Sequence, residues 1–155
     1  MNRRAKHRIA HKSADAIIAT VEAFKAQAPD KATAVIIDAC RDRVVGEVTA
    51  SVVARALADH IRCPCDAKHR YVVHSINESE ASDADEREAD GALAAMVSAH
   101  LNHHHSDAIT VAEGCSHTEL LMVIALGCSI LARPTSPIIT AHEELDLPRV
   151  DGHLL

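Results

Sequence analysis

The sequence predicts a three-layer α/β domain, with a mostly parallel sheet of four to five strands and helices on both faces. Three observations predict it. Short apolar runs rich in β-branched residues alternate with stretches of helical periodicity. The apolar content is aliphatic: hydrophobic residues make up 48% of the chain, while the only aromatics are Phe24 and Tyr71. An aliphatic core suits a sheet buried on both faces. The length of 155 residues matches one domain. Residues 1–155 therefore read as a single unit, with a basic arm at 1–12 and a surface tail at 134–155.

The elements follow in order. Ser13 caps a first helix, with Asp15 in its first turn and Ile17, Ile18, Val21 and Phe24 on one face. Pro29-Asp30-Lys31 ends it. Thr33 to Asp38 is a buried strand by its β-branched content, and Ala39 to Gly46 is a polar loop. Val48, Val52, Val53, Ala56, Leu57 and Ile61 mark a second helix, broken at Cys63-Pro64-Cys65. Tyr71 to Ile76 is a second strand. Ser82 and Asp83, with Asp85 and Glu86, offer capping chemistry for a long third helix carrying Leu93, Met96, Val97, His100, Leu101 and His104. Asp107 to Ala112 is a third strand. Ser116 to Leu126 is a helix stopped at Gly127, and Cys128 to Ala132 is a fourth strand.

This alternation is flavodoxin-like or Rossmann-like, and ligands in such sheets bind at the carboxyl ends of the strands. Those ends are Asp38 to Arg43, His74 to Ser79, Glu113 to Glu119, and Arg133 to Ser136.

Charge and composition narrow the partners. The net charge is −6 and aromatics are scarce, which argues against nucleic acid. No apolar run approaches the ~20 residues of a membrane span, so no membrane partner is expected. Five scattered Cys, without a leader-like apolar segment after the basic start, suit reduced thiols in a cytoplasm.

Gly114-Cys115-Ser116-His117-Thr118-Glu119 lies where the third expected strand turns into a helix. Free N–H groups there suit a phosphate, and Ser116 and Thr118 add hydroxyls. Ser116 and Glu119 also have the spacing of a capping box. The stretches His105 to Gly114 and Ser116 to Pro134 resemble the nucleoside 2-deoxyribosyltransferase superfamily, which includes the 2'-deoxynucleoside 5'-phosphate N-hydrolases. Asp107, Glu119, Ala125 and Gly127 fall on its pattern. The resemblance implies an enzyme acting at the N-glycosidic bond of a 2'-deoxynucleoside or its 5'-monophosphate. It implies Glu119 as the nucleophile, with Gly114, Cys115, Ser116, His117 and Thr118 holding the sugar or phosphate. It also implies a homo-oligomer, and no cofactor is expected. The family's second carboxylate has no counterpart, since Ser98, Ala99 and His100 occupy its place. Asp38, Asp42 or His100 would take that role, or the chain would bind or sequester a nucleotide without turnover.

Other groups stand beside this one. Asp38, Arg41, Asp42 and Arg43 sit at an expected strand end, where Arg forks grip phosphate and a carboxylate faces a base or ribose. Of His100, His103, His104 and His105, the first three share a helix face, which fits packing, a subunit contact or a metal-dependent hydrolase; the favoured reading assigns no metal. Cys63-x-Cys65 with His69 is a poor zinc spacing. Cys115, at a helix start, is a candidate for a lowered thiol pKa. Finally, the basic arm Arg3 to Lys12 and the acidic run Glu78 to Asp90 are complementary in charge and are able to meet between subunits.

Overall fold

The computed structural model describes residues 1–60, 70–76, 83–133, 141–145, 149–150 and 153–154. These residues form a helical bundle. The expected parallel sheet is absent among them: the strands form two antiparallel two-stranded ribbons. The three-layer α/β, Rossmann-like expectation is thereby overturned.

Helix α1 (Arg3–Lys25) begins well before Ser13, because Asn2 caps it by accepting a hydrogen bond from the Ala5 N–H at 2.8 Å. Ser13 lies buried inside the helix. The arm at 1–12 is thus ordered helix. Helix α1 ends in a Schellman turn: the Ala28 N–H reaches the Ala23 carbonyl, with Gln27 left-handed at φ 56°. Pro29 then opens helix α2 (Pro29–Ala39) rather than a loop. Its missing N–H costs nothing in the first turn. The run at 33–38, expected as a strand, is helical. Ala32, Ile36 and Cys40 are buried at four-residue intervals, whereas Ile37 is exposed. The β-branched content of this run misled; the burial period is that of a helix.

Asp42 caps helix α3 (Arg43–Asp59) through the N–H groups of Val44 and Val45. Strand β1 (Arg70–Ser75) agrees with the expected strand at 71–76. It pairs antiparallel with strand β2 (Ala141–Leu145), from the segment read as a tail. Short strands β3 (Arg149–Val150) and β4 (His153–Leu154) pair with each other. Helix α4 (Ala84–Leu101) starts where expected, with the Asp83 side chain accepting from the Glu86 N–H at 2.9 Å. It holds β1 through polar side chains: Val73 N–H donates to Ser98 Oγ and Ile76 N–H to Asp90 Oδ1, both at 2.8 Å.

Helix α5 (His105–Gly114) replaces the expected strand at 107–112. Its buried residues, Ala108 and Ala112, again recur every four positions. Helix α6 (His117–Leu131) runs straight through Gly127 and absorbs most of the expected fourth strand. Gly127 is a contact point rather than a stop: a Cβ there would collide with the Val53 side chain of α3. Helices α3, α4 and α6 pack against one another and supply the centre of the core, with Val53, Leu57, Leu93, Met96, Val97, Leu120, Val123 and Ile124 fully enclosed. Helix α1 packs on α2, α3 and α6, and α5 bridges α4 and α3. No helix among the described residues is long and apolar enough to cross a membrane.

Candidate functional site

The residues expected to hold a nucleotide divide between two places. The first is the elbow between α5 and α6. Ser116 Oγ accepts from the Glu119 N–H at 3.1 Å, and the Glu119 carboxylate accepts from the Ser116 N–H at 3.4 Å. This is the complete capping box. Gly114 closes α5, while His117 and Thr118 form the exposed first turn of α6. Arg43 reaches across from α3 and donates to the carbonyls of Ala112, Glu113 and Cys115 at 3.3, 3.2 and 2.6 Å. Its Nε also donates to Glu47 at 2.7 Å. The guanidinium therefore closes the carboxyl end of α5, where unpaired carbonyls favour a cation. Cys115 is buried, and its thiol is pushed up rather than down, by burial first and then by the Glu119 carboxylate. The expected activation of that thiol is reversed. Burial likewise raises Cys40 and lifts Cys128 to about 12.

The second place is a pocket of about 470 Å³ between α1, α2 and the start of α3. Asp38, Arg41 and Asp42 line it, together with Lys12 and Asp15. Arg41 pairs with Asp38 at 3.3 Å, both side chains standing open to water. Asp42 is engaged as the α3 cap. The structure thus brings Asp38, Arg41 and Asp42 together, and places Arg43 and Glu119 at a separate corner.

A third place gathers histidines. Helix α4 ends in a Schellman turn in which the His104 N–H reaches the Ala99 carbonyl at 2.8 Å, and His103 takes the left-handed φ of 60°. This turn folds the chain back and lays His105 on His100, their Nδ1 atoms 2.7 Å apart. His100 is buried, and its Nε2 lies 2.9 Å from the Ser51 carbonyl of α3 and 3.3 Å from Ser51 Oγ. A carbonyl only accepts, so His100 Nε2 carries a proton. Burial pushes His100 below the usual imidazole range; the Ser51 carbonyl opposes that shift, while His105 and Arg55 reinforce it. A neutral His100 protonated at Nε2 has an accepting Nδ1, so His105 Nδ1 donates to it. The remaining nitrogen, His105 Nε2, then has no hydrogen-bond partner among the described residues.

That pair borders a pocket of about 300 Å³, lined by Arg55, Ala58 and Asp59 of α3 and by His100, Leu101, His103 and His105. His104 stays outside and faces Asp107 at 3.7 Å. Among the described residues no group of three or more His, Cys, Asp or Glu is placed to hold a metal ion. Cys63, Cys65 and His69 lie outside the described residues. Sequence reasoning noted the histidines and missed Ser51, Arg55 and Asp59. The signal was there: the three recur every four residues along α3 as a polar edge beside its apolar stripe.

Comparison with protein-family models, curated proteins and solved structures returns no match to this chain. The resemblance to an N-glycosidic enzyme rested on an α/β frame that the described residues do not form. It placed Glu119 at the edge of a parallel sheet, and the chain has a helical elbow there, with Glu119 engaged in a capping box.

Proposed function

We propose that this chain binds a small phosphorylated ligand in the pocket between α3 and the α4–α5 elbow, with His105 as its acid–base group. One observation carries the reading: the hydrogen-bond chain from the Ser51 carbonyl through His100 to His105, which fixes the tautomer and leaves His105 Nε2 free. A base oriented by a second group, itself oriented by a third, is a recurring arrangement for proton transfer. Arg55 on the same wall supplies a permanent charge and a planar donor fork that match phosphate. Asp59 adds an acceptor for a ligand hydroxyl. The volume, about 300 Å³, is that of a small-ligand site. Nucleoside monophosphates, the ligand class expected from the sequence, are the first probes.

Calorimetric titration with inorganic phosphate, sugar phosphates and nucleoside 5'-monophosphates tests the reading. Arg55→Ala should weaken binding by roughly tenfold or more, since a hydrogen bond to a charged group contributes about 1.5–3 kcal/mol. His105→Gln should keep binding and lose any proton uptake coupled to it. Equal affinity for wild type and Arg55→Ala, or no binding of any phosphorylated probe, would sink the reading.

A further inference from the structure

The amino-terminal turns of helix α1 are largely exposed. Arg3, Arg4, Lys6, Arg8 and Lys12 are all exposed, and none forms an ion pair with a described residue. The first turn has no acidic residue. Cations there oppose the helix dipole, whose positive end is the amino end.

The opposite charge predominates elsewhere, with one cation, Arg87, among the acids at the start of α4. Removing those five cations from the net charge of −6 leaves −11 on the remainder of the chain. Part of that excess stands at the start of α4, where Asp85, Glu86 and Glu88 are exposed and form no ion pair with a described residue. Among the described residues no ion pair joins the two surfaces within one molecule.

We propose that the basic end of α1 docks on the acidic start of α4 in a second copy of this chain. A polyanion such as nucleic acid would meet the arm but be repelled by the strongly negative remainder. A second copy offers the arm an acidic surface and relieves the excess on both sides. A two-fold pair makes the contact twice, which doubles its effect without a new surface. Both surfaces are solvated, so the pairing is screened once the Debye length falls below the separation of the charges.

Sedimentation of the full chain at low and high salt tests this. At low salt the wild type should form dimers, and the dissociation constant should rise by at least about tenfold at high salt, as screening of exposed charges requires. The triple change Arg3→Glu, Arg4→Glu, Arg8→Glu should leave monomers, and so should Asp85→Lys, Glu86→Lys, Glu88→Lys. Mixing the two reversed variants should restore a dimer of one of each. Should the lysine variant fail to fold, the neutral set Asp85→Asn, Glu86→Gln, Glu88→Gln replaces it and should weaken the dimer. A monomeric wild type at low salt overturns the proposal, including one whose arm captures heparin. So does a dimer indifferent to either reversal, or a mixture that stays monomeric.

Discussion

Helix α5 is flanked by two elbows with similar inventories and different fates. At its carboxyl end, Arg43, Ser116 and Glu119 are matched to backbone atoms: three carbonyls for the guanidinium, and a reciprocal pair of N–H groups for the hydroxyl and the carboxylate. At its amino end, His100 and His105 are matched to each other and to one carbonyl, and one imidazole nitrogen is left over beside an arginine. The first elbow uses its polar groups to end and begin helices. The second retains capacity for a ligand. Residue type alone does not separate the two; what separates them is whether the backbone donors and acceptors nearby already have partners.

The largest effect expected from breaking this contrast is at Arg43. Arg43→Ala frees the carbonyls at the end of α5 and leaves Glu47 unpaired, which should lower stability by about 2–3 kcal/mol. Arg43→Lys should recover less than half of that, because one guanidinium nitrogen, Nη2, meets all three carbonyls while Nε holds Glu47, and a single ammonium cannot serve both. Urea titration followed by circular dichroism measures both. Ligand affinity at the other elbow should be unchanged in the folded variants. A parallel loss there would mean the two corners act as one site.

Smaller is the cap itself. Ser116→Ala should cost about 1 kcal/mol, the usual value for a lost cap. Glu119→Gln should cost little, since an amide oxygen still accepts the Ser116 N–H. The same substitution removes the carboxylate charge beside Cys115 and should bring its raised thiol pKa down, as thiol titration would show. Glu119→Gln that collapses the fold would contradict the assignment of Glu119 as a cap.

How much of this was legible in the sequence follows from the same distinction. The start of α4 was, because Asp83 and the acids after it are local cap chemistry. The Ser116–Glu119 box was legible too, and so was strand β1. The runs at 33–38 and 107–112 were not, because their β-branched residues pointed to strands while Ala32, Ile36, Ala108 and Ala112 carried a helical burial period. Gly127 read as a stop because a glycine's use as a helix end and its use as a close contact are indistinguishable without Val53. Pro29 followed the same pattern: it ends one helix or opens the next, and only the Schellman turn before it decides. Once three helical runs, at 33–38, 107–112 and 128–131, were taken for strands, a parallel sheet and its ligand edge followed. The His pocket depends on a turn at His103 and on residues of α3 that are distant in sequence, so the polar edge of Ser51, Arg55 and Asp59 was visible along α3 but its meeting with the histidines was not.

His103 offers a change in the stabilising direction. A left-handed φ costs a residue with a Cβ about 1 kcal/mol, and glycine avoids that cost. His103→Gly should therefore stabilise the fold by up to about 1 kcal/mol. Gln27→Gly, at the matching turn after α1, should do the same and serves as the control. The two should differ in binding. His103 lines the pocket and Gln27 does not, so His103→Gly should alter ligand affinity while Gln27→Gly leaves it alone.

The smallest effect belongs to protons, and its sign discriminates between the elbows. His100 is held below its unfolded value by burial, opposed by the Ser51 carbonyl. When pH falls below the unfolded imidazole value of about 6.5, the unfolded chain takes a proton that folded His100 still refuses. Stability should therefore decline across that interval and stop declining, for this group, below the folded value. His100→Gln should flatten this part of the profile measured by denaturant midpoints, whereas Ser116→Ala should shift the whole profile down without changing its slope. A wild-type stability that rises as pH drops through 6 would place the proton on His100 in the folded state. The bond between the two rings would then run the other way, His100 Nδ1 donating to His105 Nδ1 while His100 Nε2 still donates to the Ser51 carbonyl, and His105 Nε2 would offer a ligand a proton rather than a lone pair.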